Sequence, residues 1–200
     1  MAKFEFVTPN HINKQFIKTG LDHVSGKAWL RLQREPYNFY LKFRKRANDA
    51  HVFFVPHENV NFISSVEKSS DIAHAGTYFG FIEKKEFFLS LEGAEFIKDI
   101  EERENNMDLK FIKISSQGAR SFLYGNDIPL RYVIKKPQEL NRKQIVFIVD
   151  ESDRFLGIAY IFIPYESPSE RQKRGTRRYT APKMQIRNLI DYGYYIRRGF

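Results

Sequence analysis

Two apolar runs in the second half of the chain restrict its fold more than any other feature. Residues 144–149 (QIVFIV) and 155–163 (FLGIAYIFI) are β-branched, aromatic or small almost without a break. Only the polar stretch Asp150-Glu151-Ser152-Asp153-Arg154 separates them, and Pro164 stops the second. A strand with one wet face alternates apolar and polar residues, whereas a strand without a polar face is buried on both sides. The pair predicts a hairpin inside a small closed barrel.

The rest of the pattern predicts an α+β protein. Residues 38–43 and 51–55 read as two strands around the polar turn 44–50. A second hairpin follows, 77–82 and 86–91, turning at Glu83-Lys84-Lys85. Asn59, Val60, Ile63 and Val66 repeat at helical spacing, as do Ala94, Phe96, Ile97 and Ile100. Earlier, Phe16, Ile17 and Leu21 share one helical face, and Trp29, Leu30 and Leu32 supply apolar anchors. Apolar content falls in the charged run IEERENN, residues 100–106, which places a domain boundary between residues 1–107 and 108–200. The second part reads as a strand over 109–114, then a short helix over 117–124 that Gly125-Asn126 stops. A closing strand over 184–190 and a tail over 192–200 complete it.

Several chemistries lack their residues. The chain has no cysteine, which removes disulfides, thiolate nucleophiles and Cys-based metal sites and fits an intracellular protein. No two of the 11 glycines are two apart and no GxxxxGK[ST] occurs, so phosphate-cradling loops are missing. His11, His23, His51, His57 and His74 make no HxH or HExxH pattern. The reading is therefore of a protein that is not an enzyme, with no cofactor and no metal. The N-terminus lacks the basic-then-apolar pattern of a secretory signal, and no run approaches a membrane span's ~18–20 apolar residues; no membrane partner is expected.

Charge singles out a polyanion. The net charge is +9, and residues 167–200 hold 9 of the 33 basic side chains but only 2 of the 24 acidic ones. Arg171, Lys173, Arg174, Arg177 and Arg178 fall within eight positions, with Gly175 to let the chain bend and Tyr179 to stack on a base. Arg meets two phosphate oxygens through one planar fork and Lys adds a point charge. An aromatic ring takes an unpaired base at about 1–3 kcal/mol. The C-terminal run Tyr192-Gly-Tyr-Tyr-Ile-Arg-Arg-Gly-Phe200 interleaves aromatics with Arg197 and Arg198.

The stretch GARSFLYGND, residues 118–127, resembles the GA-x-x-SFLYGN signature of the Nip-seven family of ribosome-biogenesis factors. Gly76, Thr77, Phe79, Gly80 and Phe81 resemble that family's G-T-x-F-G-x-F hairpin. Leu156-Gly157 match the LG of its last domain, and residues 190–197 (IDYGYYIR) resemble its closing ADIGEYIR. The likeness runs in order over roughly residues 37–198. It implies a mixed α/β pre-PUA domain over 1–107 followed by a PUA-like β-barrel over 108–200. It also implies a non-catalytic RNA-binding protein acting in pre-rRNA processing and large-subunit assembly. The implied partners are rRNA or pre-rRNA and ribosome-assembly proteins, met by a monomer in an archaeal cytoplasm or a eukaryotic nucleolus. Residues nominated for RNA contact are Arg171, Lys173, Arg174, Arg177, Arg178, Tyr179, Arg120 and Arg197. Asp127 stands where the family has His. The alternatives are a subunit of an RNA-modification enzyme and a protein-interaction adaptor with incidental RNA affinity.

Overall fold

Two separate sheets organise the computed structural model, one in each of two units, residues 1–109 and 110–200. The structure describes residues 6–43, 49–61, 75–104, 108–164 and 184–198.

The first sheet is an antiparallel meander in chain order: β1 (Phe6–Val7), β2 (Tyr37–Phe43), β3 (Ala50–Pro56), β4 (Thr77–Glu83) and β5 (Glu86–Leu89). Both expected hairpins are present, β2 with β3 and β4 with β5. In the β4–β5 turn Lys84 and Lys85 both take positive φ, 49° and 68°, as a two-residue hairpin of this twist requires. Two longer helices cover the sheet, α1 (His11–Asp22) and α3 (Leu91–Arg103), with α2 (Ala28–Leu32) between them in sequence. Asn10 caps α1 through a bond accepted from the Asn13 amide, and Ser90 caps α3 by accepting from that of Gly93. Ile17 and Leu21 point inward as their spacing predicts, while Leu30 is largely exposed. A ring cluster fills the core between sheet and helices: Phe39 meets Phe54 at 4.5 Å and Phe79 at 5.3 Å, and Phe54 meets Phe96 at 5.3 Å. Each such side chain contributes about 1.5–3 kcal/mol on burial. The helix expected after His57 begins as a short 3₁₀ turn, His57–Asn59, and its positions Ile63 and Val66 lie outside the described residues.

One ion pair is buried among the described residues of this unit. Arg31 on α2 is ion-paired with Glu101 on α3, both almost without exposure. Glu104 at 3.2 Å and Asp108 at 3.6 Å complete its surroundings, and the other Glu101 oxygen accepts from the Asp108 amide. The IEERENN run thus carries a helix-to-helix latch at its start.

The second unit contains β6 (Phe111–Ile114), α4 (Ser116–Leu123), β7 (Val133–Lys135), β8 (Ile145–Val149), β9 (Phe155–Phe162), β10 (Gln185–Asp191) and α5 (Gly193–Arg198). The sheet order is β10-β9-β8-β6-β7, with β6 parallel to β8 and the other pairs antiparallel. The segment after α4 closes it. Ile128 bridges Ile186 of β10 at one end, and Val133 pairs with Ile114 of β6 at the other, so one stretch of chain joins the two sides of the sheet. Inside lie Ile112, Ile114, Phe122, Val146, Ile148, Ala159, Ile161 and Ile186. Phe147 faces the other way and is also fully buried, its ring 5.5 Å from Phe111 and 5.6 Å from Phe155. Strands β8 and β9 are therefore covered on both faces, as their unbroken apolar character demands. Two expectations need correction. Within the segment over 192–200, read as a tail, Gly193–Arg198 forms α5, held where Gly193 and Arg197 meet the Leu123 carbonyl at the end of α4. The span from Ile128 to Gln144, where no element was read, holds β7 and the closing bridge.

Candidate nucleic-acid interface

The SFLYGND stretch folds as a helix that must end against other parts of the unit. Ser115 caps α4 by accepting from the Gly118 amide. Its buried face is Gly118, Ala119 and Phe122; a side chain at Gly118 would come within 2.7 Å of Tyr132. Gly125, at φ +87°, stops the helix and turns the chain back along β10. A helix end leaves carbonyls without partners, and here two distant side chains supply them. The Asn188 amide donates to the Phe122 carbonyl at 2.8 Å and to Asp191 at 3.0 Å. Arg197 donates to the Leu123 carbonyl and grips both Asp191 oxygens, at 3.1 and 2.9 Å. Those bonds to Asp191 push the guanidinium pKa further up than its already high value. Gly193 lies so close that a Cβ would sit in contact with the Leu123 carbonyl oxygen, Arg197 and Asp191. Asp127 accepts from the Asn188 backbone N–H at 3.0 Å, fixing the returning segment to β10. Residues from two distant stretches of sequence, 122–127 and 188–197, thus form one knot around a buried carboxylate.

Outward from that knot the surface is different. Arg120 and Tyr124 lie one helical turn apart on the exposed face of α4, and the Tyr124 ring is 76% exposed. Ile196, beside Arg197 on α5, is also open to solvent. A flat ring beside a planar guanidinium is the arrangement on which an unpaired base stacks.

Of the eight nominated residues, Arg171, Lys173, Arg174, Arg177, Arg178 and Tyr179 lie outside the described residues. Arg120 is exposed, and Arg197 has its guanidinium committed to Asp191 and a carbonyl. The described chain leaves β9 at Pro164 and returns at Met184, so the basic segment is rooted where Phe162 pairs with Gln185. That root lies at the opposite end of β10 from the knot, since Gly157 pairs with Asp191 there; seven residues separate the two ends by roughly 20 Å.

Cations that sequence reasoning missed gather at the root. Arg142 and Lys143 precede β8 at its near end, where the Lys143 amide bonds the Ile161 carbonyl. Arg187 lies 3.8 Å over the Phe162 ring and donates to Tyr160 and Gln185. Arg131, Lys135 and Lys136 lie away from the root, exposed on the closing segment, where Lys135 pairs with Lys113. Among the described residues none of these six cations has a carboxylate oxygen within 4 Å. The signal was present: residues 130–144 hold five basic side chains and one acidic. Taken together with the Asp150–Arg154 turn, the region looked neutral. In the structure those acids sit at the far end of β8 and have partners of their own: Asp150 with Arg154, Asp153 with Lys113, Glu151 with the Ser116 amide.

The second unit is a mixed five-stranded sheet closed by the segment that follows α4. Residues 110–200 match the family model of the UPF0113 PUA domain. The whole chain is similar in fold to a hypothetical protein of the hyperthermophilic archaeon Pyrococcus horikoshii, with 12% identity, 96% of this chain and 98% of the other covered, and a TM-score of 0.54. It is also similar to a PUA domain protein of Aeropyrum pernix solved as a tartrate complex, with 10% identity, 96% and 88% covered, and a TM-score of 0.53. At such identities the likeness is one of fold. No curated protein matches the chain in sequence. PUA domains typically bind RNA. Among the described residues no helix is long and apolar enough to cross a membrane.

Proposed function

We propose that this chain is a non-catalytic RNA-binding protein that acts in ribosome biogenesis, with its PUA domain as the RNA-binding part. The observation that carries the reading is the cationic end of that domain. Arg142, Lys143 and Arg187, none with a carboxylate oxygen within 4 Å among the described residues, lie at the root of the chain segment that carries Arg171, Lys173, Arg174, Arg177 and Arg178. Cations so placed exchange condensed counterions for phosphates, and this term dominates non-specific affinity. Arg120 and Tyr124 offer a second contact on α4, suited to an unpaired base. The role in large-subunit assembly is supported by the SFLYGND stretch and its partners at Gly157, Asp191 and Arg197, the positions through which the sequence resembles Nip-seven factors.

The test is the salt dependence of binding to a single-stranded RNA oligonucleotide by fluorescence anisotropy. Each phosphate contact contributes about −0.7 to the slope of log affinity against log salt. Replacing Arg142 and Lys143 by Ala is expected to flatten the slope by about 1.4, and Arg174→Ala with Arg177→Ala and Arg178→Ala by about 2. Unchanged slopes in both would remove the cationic end from the RNA footprint. Transfer of label from a methyl donor to rRNA by the purified chain would overturn the non-catalytic reading.

A further inference from the structure

The first unit holds a cleft that the RNA-binding reading of the second does not use. Among the described residues, strand β1 pairs with β2 through Phe6–Lys42 and Val7–Leu41. The chain then departs at Thr8 and Pro9, which has no N–H to offer, and Asn10 opens α1. The first half of β2, from Tyr37 to Tyr40, is left without a strand on that side among the described residues. A cleft of about 450 Å³ lies there, within the range of small-molecule sites.

Its walls are aromatic. Trp29 of α2 stacks on Phe39 at 5.7 Å with the rings 8° from parallel, and Phe39 rests on Phe54 behind it. Tyr37 stacks on Phe54 at 4.9 Å. The rim is polar, and Lys14 is its one lysine. Lys14 and His57 are exposed there, and the one carboxylate, Glu35, is engaged by Arg103 at 3.3 Å. Gln33 and Asn38 also line the cleft, and their side chains make no hydrogen bond to any other described residue.

We propose that this cleft binds a nucleoside monophosphate, either free or as the unpaired end of an RNA. The base enters beside Trp29, whose ring is half-buried and already held flat by Phe39. An amide side chain carries both a donor and an acceptor, the pattern a base edge presents. The Lys14 ammonium meets the phosphate at the rim.

Trp29 is the chain's sole tryptophan, so its fluorescence reports the site directly. The full-length protein is titrated with AMP, with adenosine and with a 5′-phosphorylated RNA tetranucleotide. Saturable quenching by AMP is expected. Lys14→Ala should weaken AMP by about 2–5-fold, the range of one solvated ion pair, and leave adenosine unchanged. Tighter binding of the tetranucleotide than of AMP assigns the site to an RNA end; equal binding assigns it to the free nucleotide. The Arg142→Ala, Lys143→Ala variant should quench as the parent does, which separates this site from the PUA domain's. An AMP titration that stays flat to about 10 mM would overturn the proposal, as would saturable quenching that Lys14→Ala leaves unaltered. Saturation-transfer NMR on the AMP base protons, run with Trp29→Phe, gives a readout that does not depend on the indole.

Discussion

Replacing Asp191 by Ala tests the knot that joins α4, β10 and α5. The carboxylate has no exposed surface and accepts three hydrogen bonds: two from Arg197 and one from Asn188. Removing one member of a fully buried pair costs about 3–5 kcal/mol, because the other charge is left without compensation. Here the cost is smaller. The Arg197 side chain is 33% exposed, so it turns toward water, and Asn188 keeps its bond to the Phe122 carbonyl. A loss of about 2–4 kcal/mol follows from hydrogen bonds to charged groups at about 1.5–3 kcal/mol each. For a unit of this size that lowers the melting temperature on the order of 10–20 °C. Calorimetry and urea unfolding of the full chain read it, and Asp191→Asn, which keeps one acceptor, should fall between parent and Ala. A loss below about 0.5 kcal/mol would refute the reasoning, since surface substitutions already span that range. RNA binding below the transition sharpens the test. If Arg197 serves the scaffold alone, the folded Asp191→Ala protein binds RNA as well as the parent. If binding rises while stability falls, the freed guanidinium has reached phosphate.

Three further outcomes are expected. Burial pushes the Asp150 carboxyl pKa up, but hydrogen bonds from the Arg154 amide and guanidinium and the Ser152 amide outweigh it and hold it below its ordinary value. Its folded-state pKa is depressed, so its stabilisation is present above the unfolded value of about 3.9 and fades as pH falls through the folded one. Asp150→Asn should lower the urea midpoint at pH 7 and bring no comparable loss near pH 2. Glu101→Gln removes the buried carboxylate beside Arg31 but leaves Glu104 and Asp108 next to it, so it should cost less than the about 3–5 kcal/mol of a fully stranded charge in urea unfolding. Joint replacement by Met and Leu should recover much of it, and a double variant no better than Glu101→Gln would argue against a charge-based cost. In the β4–β5 turn, Lys84→Asn with Lys85→Gly relieves two positive-φ residues and should raise stability by about 1 kcal/mol. RNA binding is the control there, since a drop would place that turn in the footprint.

The unbroken apolar runs in β8 and β9 dictated burial on both faces, because no register of such a strand can offer a polar side to water. The hairpins of the first sheet were legible for a similar reason: period-two runs with a polar turn between them pair locally. Legible too was the short α4 with its glycine stop, and the concentration of charge after β9. Other features depended on contacts between residues far apart in sequence. The parallel partnership of β6 with β8, the bridge from Ile128 to Ile186 and the conversion of the C-terminal segment into α5 all arise that way. Arg197 illustrates the difference. From its neighbours in sequence it is one of a pair of free cations beside aromatics; in three dimensions a buried carboxylate six residues away and the end of a helix 74 residues away claim it. The cations at the root of the basic segment show the reverse. Sequence windows averaged them against acids that the barrel places at its opposite end and pairs with other partners. Local propensity decides what a stretch of chain becomes, but charge is read by distance in space, and only the closed barrel set those distances.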